Sequence, residues 1–133
     1  MAPDVVDPDE VDRGEPAVRT LAMPADTNPS GDIFGGWVIA QMDLAAGIVA
    51  TRRAQGRVAT VALDGLSFHL PVRVGDLVSS HARVVRVGRT SMTVKVDTYV
   101  IRSRTMDEVK VTEGHFTMVA IDAKGRPRPV PKV

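Results

Sequence analysis

Asp43 is the only charged residue between Asp32 and Arg52, set in a run of Trp, Val, Ile, Met, Leu and Ala. An ionised carboxylate buried without a partner is costly, so such a residue needs a hydrogen-bond donor or has a chemical task. One chemistry it can perform is attack on an electrophilic carbon, as general base or as nucleophile. The other reading is structural: an Asp that caps or hydrogen-bonds a neighbouring strand.

Just upstream, "NPSGDIFGG" leads into the same apolar run. Gly35 and Gly36 let the backbone turn tightly and leave the first-turn amides free, where the helix dipole favours negative charge. Amides so placed can hold a developing oxyanion. The plainer alternative is a helix start capped by Asp32 or Asn28. Asn28 can present an amide to a carbonyl or a water, although "TNPSG" is also an ordinary turn sequence. Thr60, early in a strand-like run, can donate to Asp43 or a water, or be a simple β-former.

Spacing links these groups. Gly36 and Asp43 are seven residues apart, which on one helix puts them roughly 10 Å apart along the axis. That is too far for both to act on one carbonyl. If they share a substrate, the helix start of one subunit must meet the Asp of another, which makes a site at a dimer interface.

Other chemistries find less support. His69, His81 and His115 lie in separate strand-like segments without metal-ligand spacing, and no metal site is expected. There is no "GxSxG" elbow, P-loop or "GxGxxG", so nucleotide hydrolysis and hydride transfer lose their usual signatures. Arg86 and Arg89 flank a turn followed by Thr90 and Ser91, a group able to hold phosphate or simply to be a solvated hairpin. Three Phe, one Tyr and one Trp, without aromatic-basic interleaving, disfavour nucleic acid as a partner.

The elements that must position these residues follow from periodicity. A helix is expected from Gly36 to about Ala54, apolar nearly all round, with Arg52 and Arg53 in its last turn and Gly56 as its stop. Strands are expected over 18–23, 57–68, 76–87, 91–103 and 109–121, with "VGD" and "VGR" as turns. One helix and an antiparallel sheet must cover each other, giving an α+β design in two layers. A helix apolar on all sides needs more than one sheet face, which again favours pairing of subunits.

At 133 residues with 44% hydrophobic and 25% charged side chains, the chain fits one globular domain. It has no cysteine, so disulfides and thiolate chemistry are excluded. No apolar run reaches the length of a membrane span and the acidic start is unlike a signal peptide, so a soluble cytoplasmic protein is expected, with no membrane partner. Residues 1–16 hold six acids and one base, leaving 16 bases against 10 acids elsewhere, a balance that suits an anionic ligand. The expected organisation is a disordered acidic tail over 1–16, a folded domain over 17–125 and a basic, Pro-rich tail over 126–133.

The block "LAMPADTNPSGDIFGGWVIAQMDLAAG", with "RVATVALDGLSFHLPVRVGD" and "VRVGRTSMTV" after it, closely resembles the YciA-type acyl-CoA thioesterases of the hotdog superfamily. The likeness runs over roughly residues 19–130. It implies a hotdog fold, a long central helix wrapped by a five-stranded antiparallel sheet, assembled as homodimers and often as a trimer of dimers. It implies hydrolysis of acyl-CoA to free acid and CoA within fatty acid metabolism, with no cofactor. The catalytic roles fall on Asp43 as base or nucleophile, Asn28 opposite it from the neighbouring subunit, and the Gly36 amide as oxyanion donor, with Thr60 near the water. Phe34 stands where some relatives carry a His before the paired glycines. For CoA the resemblance points to Gly65, Arg89 and Ser91, and Trp37, Met42 and Phe68 are expected to shape the acyl pocket. Two other readings on the same fold are a non-catalytic acyl-CoA binder or sensor and a hydratase, the latter lacking the catalytic His with a nearby acid that it would want.

Overall fold

The computed structural model describes residues 13–133. Most of the acidic segment expected as a tail over 1–16 lies outside the described residues. The chain runs through β1 (Val18–Leu21), a short 3-10 turn (Pro24–Asp26), α1 (Gly35–Ala54), β2 (Val58–Phe68), β3 (Leu77–Val87), β4 (Ser91–Ile101) and β5 (Glu108–Ala120). The five strands form one antiparallel sheet in the order β1-β3-β4-β5-β2. Helix α1 packs on one face of it, mainly across β3 and β4. This is the α+β architecture expected, one helix laid on a five-stranded antiparallel sheet. Among the described residues no helix is long and apolar enough to cross a membrane.

The core lies between helix and sheet. Val38, Met42, Ala45, Ala46, Ala50 and Ala54 form the buried stripe of α1, a three-to-four residue spacing that keeps one side of a helix facing inward. Four of the six are alanines, so the helix backbone approaches the sheet closely. Opposite it, Met92, Val94, Val96 and Val100 of β4 and Phe116 and Met118 of β5 are buried, the period-two pattern of a half-buried strand, and Val111 is buried at the register slip between the two. A single sheet covers a single side of the helix. Leu44 and Ile48 are left 56% and 37% exposed on the far side, so within one chain the helix is not buried all round.

The end of α1 departs from the expected glycine stop. The left-handed position is held by Gln55, with φ 53° and ψ 43°, and not by Gly56. Glycine at 56 answers a different need: a Cβ there would sit 2.6 Å from Arg128 Nη2, which donates to the Ala54 carbonyl at 3.0 Å. Arg128 thereby satisfies a carbonyl that the helix end leaves open. The segment from Arg126 onward lies along the domain, with Val130 buried, its N–H donating to the Arg89 carbonyl, and Arg53 donating to the Pro131 carbonyl.

On the sheet's other face the strands carry charge. Lys110 Nζ lies 3.1 Å from Asp97 and 3.0 Å from Glu113, and Glu113 meets His69 Nε2 at 3.1 Å. Arg13 ion-pairs with Glu108 and stacks its guanidinium 3.9 Å from the centre of the Tyr99 ring. The hydrogen bond from Lys110, and after it that from His69, holds the Glu113 carboxyl below its ordinary value against a smaller opposing effect of burial.

Two predictions follow from this packing. Gly56→Ala should displace Arg128 and cost about 1–2 kcal/mol, with Arg128→Ala costing a similar amount. In denaturant unfolding the double variant should then cost clearly less than the sum, and additive costs would show the two residues to be independent. Glu113, with its folded pKa depressed, stabilises the native state above the ordinary glutamate range and loses that contribution as pH falls through the depressed value. The stability gap between wild type and Glu113→Gln should therefore shrink from neutral to strongly acidic buffer; a gap that does not change with pH would refute this.

Candidate active site

Asp43 is half-buried on α1, at the flank of the core stripe. Its Oδ1 accepts a hydrogen bond from Thr60 Oγ1 at 2.6 Å, a short distance typical of a hydroxyl facing a carboxylate. Thr60 Oγ1 also lies 3.3 Å from Met118 Sδ, but a hydroxyl has one proton and the carboxylate is the stronger acceptor. The local fold of β2 sets this contact. Thr60 pairs with Met118, and the register then breaks before Ala62, leaving Val61 out of the ladder and 58% exposed. Such a bulge bends the strand and re-aims its side chains.

The carboxylate opens on a cleft of about 570 Å³. Leu44, Gly47 and Ile48 of α1 form one wall and Val58, Thr60 and Met118 the other, with Thr51 and Arg52 at the far end. Met118 and the stripe 44, 47, 48 and 51 were not singled out from sequence, although the three-to-four residue spacing within the stripe, starting next to Asp43, is the signal that identifies it. Met42, expected in the pocket, is instead fully buried in the core. One helical residue turns the side chain about a quarter of the way round the axis, which takes Met42 to the sheet while Asp43 faces outward.

The start of α1 is built by its loop. Ile33 N–H donates to the Val72 carbonyl at 3.0 Å and Phe34 N–H to the Asp26 carbonyl at 2.9 Å, while Trp37 and Val38 both donate to the Phe34 carbonyl. Among the described residues the amides of Gly35 and Gly36 have no acceptor, and no side chain caps the helix. Neither Asp32 nor Asn28 is the cap. Asn28 Oδ1 instead accepts from Ser30 N–H at 2.9 Å and Asp32 N–H at 3.1 Å, holding the loop in a tight turn. Its Nδ2 group makes no hydrogen bond among the described residues. A Cβ at Gly36 would meet nothing within 4 Å, so nothing among the described residues demands glycine there. Beside Gly35 lies a hollow of about 260 Å³ between Ile33, Val38, Phe68, Leu70 and Val72, while Trp37 is half-buried against the core.

The chain thus brings Thr60 to Asp43, and places the Asn28 loop against the Gly36 end of the helix. It does not bring those two pairs together, because α1 runs unbroken from Gly35 to Ala54. Arg89 lies in the β3–β4 turn and Ser91 opens β4, in register one row from the Met92–Met118–Thr60 row. Gly65 is elsewhere, in a second bulge of β2 at φ 62°, facing His115. A positive φ explains glycine at that position without a ligand.

Comparison with known proteins agrees with this fold. The sequence pattern of the thioesterase superfamily matches residues 30–105. An acyl-CoA thioester hydrolase of Zymomonas mobilis, itself described as uncharacterized, is 51% identical over 118 residues, 89% of this chain and 79% of that one. Acyl-CoA thioester hydrolase YciA of Escherichia coli is 46% identical over 124 residues, 91% of this chain and 94% of that one. Among solved structures, the hexameric thioesterase of Yersinia pestis superimposes with a TM-score of 0.86 at 48% identity, covering 90% of this chain and 98% of that one. With helix, sheet and sequence all in agreement, the chain belongs to the thioesterase superfamily, in the hotdog-fold branch that includes the YciA enzymes.

Proposed function

We propose that the protein hydrolyses acyl-CoA thioesters to a free carboxylic acid and CoA. The observation that carries this reading is the Thr60–Asp43 bond of 2.6 Å at the mouth of an apolar cleft, on a helix whose first amides, two turns away, have no acceptor among the described residues. Thr60 fixes Oδ1, leaving Oδ2 to remove a proton from water or to attack the thioester carbonyl itself. In either route the carbonyl oxygen gains negative charge, and the Gly36 N–H at the positive end of a helix is suited to stabilise it. The C–S bond then breaks, and the sulfur leaves as thiolate and takes up a proton; where water attacked, the acid is released at once, and where Asp43 attacked, a second step in which water hydrolyses the mixed anhydride releases the acid and restores the carboxylate.

The acid and the oxyanion donor come from different copies of the chain. Asp43 and Gly36 are roughly 10 Å apart along one rigid helix, so the Asn28–Gly36 end of one subunit meets the Asp43–Thr60 end of its partner. Exposed Leu44 and Ile48 beside Asp43 give that partner an apolar surface, and the open space at Gly36 gives it room. The assembly we infer is a homodimer with composite sites, grouped as a trimer of dimers; the Yersinia pestis relative is hexameric. On this reading we expect the enzyme to act in the cytoplasm, on acyl-CoAs of fatty acid metabolism.

Asp43→Ala should abolish release of free CoA from a panel of acyl-CoAs while leaving the assembly intact. Binding of acyl-CoA without CoA release by the wild type would instead identify a sensor. Asn28→Ala should be impaired on its own. Mixing and reassembling it with Asp43→Ala should restore roughly a quarter of wild-type sites, as random pairing of two-fold subunits requires; no recovery would exclude a shared site. Thr60→Val should lower kcat by about tenfold with KM little changed, the scale for losing a group that orients a catalytic residue. An unaltered kcat would remove Thr60 from the mechanism.

A further inference from the structure

Where the sheet ends beside the start of α1, the loop before β3 meets the turn after β4, and Asp76, only 2% exposed, ties them together. Its Oδ2 accepts from Arg73 N–H at 2.8 Å in its own loop and from Arg102 Nη1 at 2.6 Å across the gap, and the same Nη1 donates to the Pro71 carbonyl at 2.9 Å. A buried carboxylate requires such compensation. Gly75 lets the two segments approach, since its φ is 89° and a Cβ there would sit 3.0 Å from Ser103 Oγ.

Two more guanidinium groups stand beside this pair without a task. Arg73 and Arg104 are exposed, and among the described residues neither side chain has a hydrogen-bond or ion-pair partner. Both line a hollow of about 380 Å³, together with Arg102, Ser103 and Thr105. The one acid lining it is Asp76, already neutralised by Arg102, which leaves an excess of positive charge facing the hollow. We infer that this hollow binds a phosphate group, gripped by Arg73 and Arg104, with the hydroxyls of Ser103 and Thr105 as further donors. A planar guanidinium presents paired N–H groups to phosphate oxygens. Thr105 Oγ1 accepts from Asp107 N–H at 3.3 Å and keeps its own proton to donate. The hollow has the size of an ordinary small-ligand pocket, enough for pyrophosphate or a phosphorylated small molecule.

The subunit contact inferred above does not require this surface. Asp43, Leu44, Ile48 and Thr60 share a cleft on the β2 side of the sheet, whereas β4 and β3 stand two and three strands in from β2, about 10 and 14 Å away at the usual strand spacing. No residue of α1 or of the Asn28 loop lines the hollow. The site is therefore separate from the Asp43 cleft of its own chain, and it does not rest on the thioesterase reading.

Calorimetric titration of the assembled wild-type protein with inorganic pyrophosphate should show saturable binding of one anion per chain. Affinity should fall about tenfold in Arg73→Gln and in Arg104→Gln, the scale of one charge-assisted contact, and the double variant should show no saturable binding. Arg126→Gln removes an exposed arginine at the other end of the sheet and should bind as the wild type does. Absence of saturable binding in the wild type, or unchanged affinity in the double variant, overturns the assignment, as does an equal loss in Arg126→Gln. Adding CoA to the pyrophosphate-saturated protein then identifies where the phosphate comes from. Displacement assigns it to CoA and simultaneous binding to a separate phosphorylated ligand; both results uphold the site. A wild type that binds pyrophosphate but releases no CoA from acyl-CoA would sink the thioesterase reading and leave this one standing.

Discussion

Helix α1 is a rigid rod of 20 residues with unpaired amides at one end and a carboxylate two turns along it. Its rise per residue keeps those groups apart, and no rotamer of Asp43 can close the gap. The rest of the structure is arranged around that fact. Alanines at 45, 46, 50 and 54 let the rod lie flat on the sheet, which pins its core face and leaves the Asp43 face open. The bulge in β2 then brings Thr60 to the one oxygen of Asp43 that it binds. The same rigidity that separates the two halves of the site within a chain fixes how two chains must meet if both halves are to serve one substrate.

Much of this design was readable in the residues. A lone acid in an apolar helix is conspicuous because it is expensive, and the seven-residue interval from Gly36 carries a distance with it. Period-two alternation from Met92 to Val100 gave β4 its inner face, and the turns at Gly75 and Gly88 divided the strands close to where they end. What sequence could not provide was anything set by contacts between distant segments. The Asp43–Thr60 bond depends on the β2–β5 register and its slip, which no local pattern announces. Glycine at 56 looked like a helix stop, yet it makes room for Arg128, a residue 72 positions away. Asn28 looked like a donor to substrate, and its carbonyl turns out to hold its own loop while its amide group is left over.

The two ends of the candidate site differ in what the chain itself requires of them. Gly65 must be glycine for its backbone angle and Gly56 for a neighbouring guanidinium, so both have reasons internal to the fold. Gly36 has neither: it is helical, with open space where a Cβ would point. A glycine in the first turn lowers helix stability, so a fold gains nothing from it alone. On the proposed reading the reason is external, since a side chain there would occupy the approach to the free amide.

Asp43 presents the converse case, because Thr60, its one donor among the described residues, leaves the carboxylate only partly satisfied. In an open, wet cleft that is tolerable, and water supplies what Thr60 does not. Closing the cleft with a second copy would strip that water away and strengthen every remaining electrostatic interaction. Exposed Leu44 and Ile48 provide the apolar area that makes such closure favourable, and they flank the carboxylate itself. On the proposed reading, association and activation of the acid would then be one event: the contact that buried these side chains would also deliver the amide to the oxygen opposite Asp43.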